Sequence, residues 1–155
     1  MWASMAAVDD ISRRLVAAVE GTLPAWVERS VRRRLYDWSG SAGPVVMAEA
    51  VAAGQQASEE VGAELRRLLE TDIDEQWTNP LSILRAAVRY PTEVLRRARV
   101  PPVARDAYDE AHFPDDDYDL VPRSFADVDP SLHEPGLAWG AAKAYAHLAR
   151  RGQTR

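Results

Sequence analysis

The stretch Trp77–Arg105, WTNPLSILRAAVRYPTEVLRRARVPPVAR, decides how this chain is read. Asn79 is a good helix N-cap. Pro80 is an ideal first residue, because its missing N–H falls where no intrahelical acceptor waits. Leu81, Leu84 and Val88 follow at helical spacing as an inward face. Pro91 ends or kinks that helix, Thr92-Glu93 restart it, and Val94, Leu95 and Ala98 continue its buried side. Pro101-Pro102 stop it. The stretch carries six arginines (Arg85, Arg89, Arg96, Arg97, Arg99 and Arg105) against one acid, Glu93. The next segment reverses the balance: Asp106–Glu134 holds ten acids and one base, Arg123. One part of the chain attracts what the next is made of, so the pattern concerns assembly rather than catalysis.

Towards the N-terminus, Asp9 or Asp10 caps a first helix with Ile11, Leu15 and Val19 on one face. Gly21 is expected to end it and Pro24 to open a second helix to about Trp38. The stripe of that helix is Leu23, Val27, Val31, Leu35 and Trp38. Arg29, Arg32 and Arg33 fall away from the stripe, whereas Arg34, seven residues after Val27, lies almost directly above it. Its stem can lie on the core with its head in water, or it can meet a carboxylate of the acidic segment. Ser39–Pro44 is a loop by composition, and a long helix follows from about Val45 to Glu70. Ala50, Gly54, Ala57, Ser58 and Gly62 give that helix a face of small residues. Glycine inside a helix costs about 1 kcal/mol relative to alanine, so the face predicts a close helix contact, within the chain or with a second subunit.

Towards the C-terminus, a short helix is expected over about Val103–His112. The prolines that follow exclude long regular structure, yet Phe113, Tyr118, Leu120, Val121, Phe125, Val128 and Leu132 recur among them. An ordered, irregular acidic arm over about 113–134 is therefore expected to wrap the arginine-rich helices. Ser124 with Asp127 resembles a capping box, and Asp129-Pro130 a second helical start. The last helix, about Pro135–Arg151, has Leu137, Ala141, Ala144 and Leu148 on one side and Trp139, Ala142 and Ala146 on another. Apolar residues on two sides predict that it is largely buried. The expected architecture is all-α: one domain, residues 1–155, forming a bundle of five or six helices with the irregular arm before the last.

Composition narrows the classes of function. With 46% hydrophobic and 28% charged residues the chain reads as an ordinary globular protein. It has no cysteine, which excludes disulfides, thiol catalysis and cysteine-held zinc or iron–sulfur, and fits a reducing compartment. The opening residues MWASMAAVDD lack the pattern of a secretory signal, and no run approaches the roughly 18 apolar residues of a membrane span, so a cytoplasmic protein is expected. Lys143 is the single lysine among 19 basic residues. In this arginine- and alanine-rich composition, and in the general pattern of Trp77–Arg151, the chain resembles small, uncharacterised helical proteins of high-GC bacteria. That resemblance implies a helical fold and brings no site residue with it.

Several chemical signatures fail on inspection. Asp115, Asp117 and Asp119 alternate like the first ligands of a calcium loop, but Leu120 stands where glycine is needed and Ala126 where glutamate is needed. A weak divalent site built from His112, Asp115, Asp117, Asp119 and His133 stays open beside the plainer reading of an acidic loop neutralised by arginine. His133-Glu134 is followed by Leu137 where a zinc protease needs its second histidine. Phosphate-cradling loops, the nucleophile elbow and the Glu-x-x-His pairs of di-iron bundles are all missing from the sequence. No catalytic residue and no cofactor is assigned.

Three functions are weighed. The first is a non-enzymatic interaction or regulatory protein with a protein partner or self-association. Its candidate residues are Arg29, Arg32, Arg33, Arg85, Arg89, Arg96, Arg97, Trp38 and Trp77, with the small face around Gly54 and Gly62 as a further surface. The second is a nucleic-acid-binding regulator using Arg29–Arg34 and Arg85–Arg99, masked by the acidic arm. The net charge of −5 opposes it, although Asp106–Glu134 contributes −9 and the remaining 126 residues total +4. The third is a metal-dependent enzyme using His112, His133 and the Asp115–Asp119 carboxylates.

Overall fold

A ladder of apolar residues at i, i+4 spacing (Leu15, Val19, Leu23, Val27, Val31, Leu35) is buried from end to end and builds a single helix, α1, Met5–Ser39. The computed structural model describes residues 5–70, 79–104 and 113–153, and the regular elements among them are all helical. The break expected at Gly21 and Pro24 does not occur, and Asp9 and Asp10 lie inside α1 rather than capping it. Pro24 lacks the N–H that would bond the carbonyl of Glu20. The Ser58 hydroxyl from the neighbouring helix donates to that carbonyl instead, at 2.6 Å.

At 3.6 residues per turn each four-residue step advances about 40° around the helix, so the stripe turns by about 200° between Leu15 and Leu35. The two ends of α1 therefore face different neighbours. Leu15 to Val27 join a cluster with Ala57, Val61, Leu65, Leu84, Leu132 and Trp139. Val31 and Leu35 join a second with Ala50, Val94, Leu95, Val100 and Tyr118.

Gly40, at φ +78°, closes α1 by donating its N–H to the Tyr36 carbonyl at 2.9 Å. After a short loop, α2 (Pro44–Glu70) runs back along α1. The small-residue face of α2 is taken up inside the chain. A Cβ on Gly54 would stand 3.0 Å from the Cα and carbonyl oxygen of Pro24, and one on Gly62 would meet the Glu20 side chain. That face is thus removed from the candidate outward surfaces.

α3 (Pro80–Ala86) starts as its caps predict, with Asn79 Oδ1 accepting the Ser82 N–H at 3.0 Å. The chain breaks at Ala87–Val88, upstream of Pro91, and α4 spans Arg89–Arg97. The Pro91 ring opposes the Ala87 carbonyl four residues before it. That carbonyl accepts the Tyr90 N–H at 3.1 Å in a tighter turn. The inward residues of α3 are Pro80, Ile83 and Leu84, followed by Ala87; half-buried Val88 packs against the same core as expected, whereas Leu81 is half-buried and does not join it. α4 ends with Val100 N–H on the Leu95 carbonyl and Arg99 N–H on the Arg96 carbonyl, both at 3.0 Å. This is the Schellman arrangement, with Arg99 rather than glycine in the left-handed position at φ 61°.

Residues 103–104 are not helical, and the rest of the helix expected over 103–112 lies outside the described residues. The one-turn helix α5 (Phe125–Val128) carries the Ser124–Asp127 capping box. Asp129 caps the 3₁₀ turn Pro130–Leu132 by accepting the Ser131 N–H at 2.9 Å. α6 (His133–Gln153) packs on α1 through Trp139, and Ala142 is buried as well. Its other apolar side is exposed: Leu137, Tyr145 and Leu148 stand 61%, 51% and 62% open to solvent. The expectation of a largely buried last helix is corrected, because no described element covers that side.

Candidate functional site

The aspartates of 115–119 each serve the turn they make. Asp115 and Asp119 have φ of 65° and 58°, a left-handed conformation that aspartate tolerates better than most residues. Asp116 is buried, and its two oxygens accept the backbone N–H groups of Leu120 at 2.8 Å and Val121 at 3.0 Å. Asp117 pairs with Arg96 at 2.7 Å, and its carbonyl accepts the Val103 N–H at 2.8 Å. The Tyr118 hydroxyl donates to the Val100 carbonyl at 2.7 Å. These bonds pin the segment to the end of α4. Among the described residues no group of three His, Asp or Glu side chains is placed to hold a metal ion; His112 lies outside them and His133 is exposed at the start of α6.

Pinning 116–118 sets the residues that follow opposite α1, and an open groove of about 740 Å³ lies between them. One wall is α1, with Trp26, Arg29, Arg32, Arg33, Arg34 and Tyr36; the other runs from Tyr118 to Arg123 and includes Asp127. α1 presents so many arginines here because its buried stripe has rotated to Val31 and Leu35, leaving positions 29, 32 and 33 outward. Arg29 donates to the Val128 carbonyl at 2.7 Å and so ties α1 to α5. Arg34 lies 3.9 Å from Asp37 on its own helix, and its Nε is buried without a hydrogen-bond partner. Its pairing is therefore local rather than with the acidic segment. Arg32 and Arg33 are exposed and have no ion-pair partner among the described residues. Two further carboxylates, Asp37 and Asp119, line the groove. The third, Asp127, is occupied by the amides of Arg123 at 2.7 Å and Ser124 at 3.1 Å.

The second arginine group is engaged internally. Arg85 donates to the carbonyls of Pro122 at 3.2 Å and Arg123 at 3.3 Å and sits over the Phe113 ring. Arg96 holds Asp117, and Arg97 holds Glu93 one turn back at 3.0 Å. Arg89 donates to the Tyr90 hydroxyl at 3.0 Å, which in turn donates to Glu60 at 2.6 Å. Burial pushes the Tyr90 hydroxyl up in pKa, reinforced by the Glu60 bond, while the bonds from Tyr90 and Gln56 hold the Glu60 carboxyl below its ordinary value.

Of the residues picked from sequence, Arg29, Arg32 and Arg33 converge on the groove, while Arg85, Arg89, Arg96 and Arg97 lie elsewhere. Trp38 is 47% exposed, not part of the buried stripe, because that stripe ends at Leu35; Trp77 lies outside the described residues. Arg34, named in sequence within the Arg29–Arg34 cluster, also lines the groove, whereas Arg123 and the Tyr118–Pro122 wall carry no such signal. The position of Arg34 above Val27 was the available signal, since it marks a guanidinium on the covered side of α1.

Among the described residues no helix is long and apolar enough to cross a membrane. Comparison with protein-family models, with curated proteins and with solved structures finds no match.

Proposed function

We propose that this chain is a non-enzymatic interaction protein, and that the groove between α1 and residues 118–127 takes an acidic stretch of a protein partner. The observation that carries this reading is the gathering of Arg29, Arg32, Arg33, Arg34 and Arg123 around one cavity, against three carboxylates. Asp127 is already engaged by backbone amides and Asp37 faces Arg34, whereas Arg32 and Arg33 pair with no carboxylate among the described residues. Guanidinium groups hold carboxylates through paired N–H donors, and a concave wall with aromatic rings strengthens such contacts by excluding water. Trp26 and Tyr36 supply the rings.

A phosphate backbone would use the same donors, but a nucleic acid needs a continuous basic track. Arg85, Arg96 and Arg97 are spent on the protein's own acceptors, and Asp37 and Asp119 flank the groove. In this reading the acidic arm of 113–134 is a fixed wall of the site rather than a movable mask; the bonds made by Asp116, Asp117 and Tyr118 support that view. The lack of cysteine fits a reducing compartment, and we place the protein in the cytoplasm.

The test is fluorescence anisotropy with a short labelled polyglutamate peptide and a labelled single-stranded oligonucleotide of equal length. The peptide is expected to bind at low salt, and Arg32→Glu/Arg33→Glu to weaken it by about tenfold or more. Absence of peptide binding at low salt, or binding indifferent to that variant, overturns the reading. An oligonucleotide that binds more tightly and is lost in the same variant replaces the protein partner with nucleic acid.

A further inference from the structure

Arg34 stands apart from the other arginines of the α1 wall. Arg29 is spent on the Val128 carbonyl, and Arg32 and Arg33 lie exposed on the rim. Arg34 is drawn inward: its side chain is 21% exposed, and its Nε is buried with no hydrogen-bond partner. Its place in the chain explains this, because it follows Val27 by seven residues and Val31 by three, towards the covered side of α1. Its charge is felt at the opposite wall as well. Burial pushes the Tyr118 hydroxyl up in pKa, and the Arg96 and Arg34 guanidinium groups oppose that push.

The carboxylate that meets Arg34 is a poor partner. Asp37 Oδ2 stands 3.9 Å from Nη1, beyond the reach of a hydrogen bond, while the other described ion pairs are at 3.0 Å or closer. The Asp37 side chain is 55% exposed and keeps most of its water. It follows Arg34 on the helix, which is the weaker order for a pair one turn apart. It also sits in the last turn of α1, where the unpaired carbonyls disfavour a carboxylate. A buried guanidinium N–H without an acceptor is costly. Arg34 thus rests in a state that a better-placed carboxylate improves.

We propose, on the footing that the groove seats an acidic stretch, that Arg34 decides what it holds: a carboxylate of the partner takes Arg34 from Asp37 and anchors the complex. Two parallel N–H···O bonds, from Nε and one Nη, match the two oxygens of a carboxylate. Turning the guanidinium to offer that edge satisfies the donor left unmatched in the empty groove and returns Asp37 to water. Asp37 is in this sense a built-in competitor of the ligand. Arg32 and Arg33, exposed and hydrated, draw the acidic partner in and gain little from any single contact. Arg34 is already largely desolvated and confined, so less is lost when it binds.

Anisotropy of the labelled polyglutamate peptide with the full chain tests this, with far-UV circular dichroism confirming that each variant is folded. Arg34→Lys keeps the charge but loses the paired donors, and should weaken binding by about fivefold or more. Asp37→Asn should tighten it by about threefold or more, since it removes the competitor. In an Arg34→Gln background the same Asp37 substitution should change affinity by less than about 1.5-fold, because nothing is left to compete for. A general effect of removing a negative charge would persist in that background, so its persistence overturns the proposal. Arg34→Lys binding like wild type overturns it too. So does Asp37→Asn binding no tighter, and that variant, at an exposed position, decides the matter even where an Arg34 variant fails to fold. In each of these cases, loss of binding in Arg32→Glu/Arg33→Glu leaves the groove standing as the acidic site. A wild-type chain that binds no peptide removes the groove reading and this proposal together.

Discussion

The Ser58 hydroxyl of α2 donates to the Glu20 carbonyl of α1 at 2.6 Å, and Glu20 is the residue whose acceptor Pro24 leaves unmatched. A proline that would divide a helix is thereby carried through it by the neighbour packed against it. Gly54 allows the approach, since a Cβ there would stand 3.0 Å from Pro24 backbone atoms. Ser58→Ala should cost about 1–2 kcal/mol by leaving that half-buried carbonyl without a donor. In a Pro24→Ala background residue 24 regains its own N–H, and the same substitution should then cost a few tenths of a kcal/mol at most. A double-mutant cycle from urea denaturation reads the coupling; additive costs would show that the hydroxyl plays no part in bridging the proline.

Asp116 is the organising residue of the groove's second wall. Its carboxylate accepts two backbone amides, and the residue is 5% exposed. Asp116→Ala should destabilise the protein by roughly 1–3 kcal/mol, because two half-buried donors lose their acceptor. Asp115→Asn, which keeps the left-handed preference at an exposed position one residue earlier, should cost much less. Thermal unfolding of the two variants side by side checks this, and equal costs would mean that Asp116 is not what holds the turn.

What the sequence allowed one to read follows from which interactions are local. The caps at Asn79, Ser124 and Asp129 involve residues two or three apart, and each forms as expected. The apolar ladder of α1 was visible as well, but Gly21 and Pro24 argued locally against continuity. Only a donor 38 residues away at Ser58 decided the matter. The Asp115–Asp119 run is ambiguous in sequence for a related reason. Its alternation is that of metal ligands, whereas its cause is two left-handed turn residues and two half-buried amides. The arginines of α1 and those of α3 and α4 are alike in sequence. What separates them is which acceptors the fold brings near, and Pro122, Arg123 and Asp117 are all distant in the chain.

Arg99 occupies the left-handed position that closes α4, at φ 61°, where a side chain costs roughly 1–2 kcal/mol relative to glycine. Arg99→Gly removes that strain, and the greater freedom of glycine in the unfolded chain offsets part of the gain by about 0.5–1 kcal/mol. The expected result is a net stabilisation of up to about 1 kcal/mol, seen as a higher urea midpoint with an unchanged slope. The buried Leu95–Val100 contact that accompanies the motif should be unaffected, since both belong to the same core cluster. A lower midpoint would mean that the Arg99 side chain, not its backbone, matters at this site.

Tyr90 and Glu60 make stability depend on pH at both ends. The Tyr90 and Gln56 hydrogen bonds hold the Glu60 carboxyl below its ordinary value of 4.5. A carboxyl depressed in the folded state contributes stability that is present above 4.5 and lost as the pH falls through the folded value. Burial, the larger cause, and the Glu60 bond raise the Tyr90 hydroxyl above 10.0, so its contribution is present below that pH and lost as the pH climbs through the folded value. Tyr90→Phe removes the bond and the ionisable group together. The variant should melt lower than wild type at pH 7. The gap between them should narrow below pH 4.5, as Glu60 takes up its proton, and narrow again above pH 10, as Tyr90 begins to lose its own. Melting temperatures of the two proteins across that range provide the check. Curves that stay parallel on the acid side would show that the Tyr90–Glu60 bond does not contribute to the acid-side loss of stability.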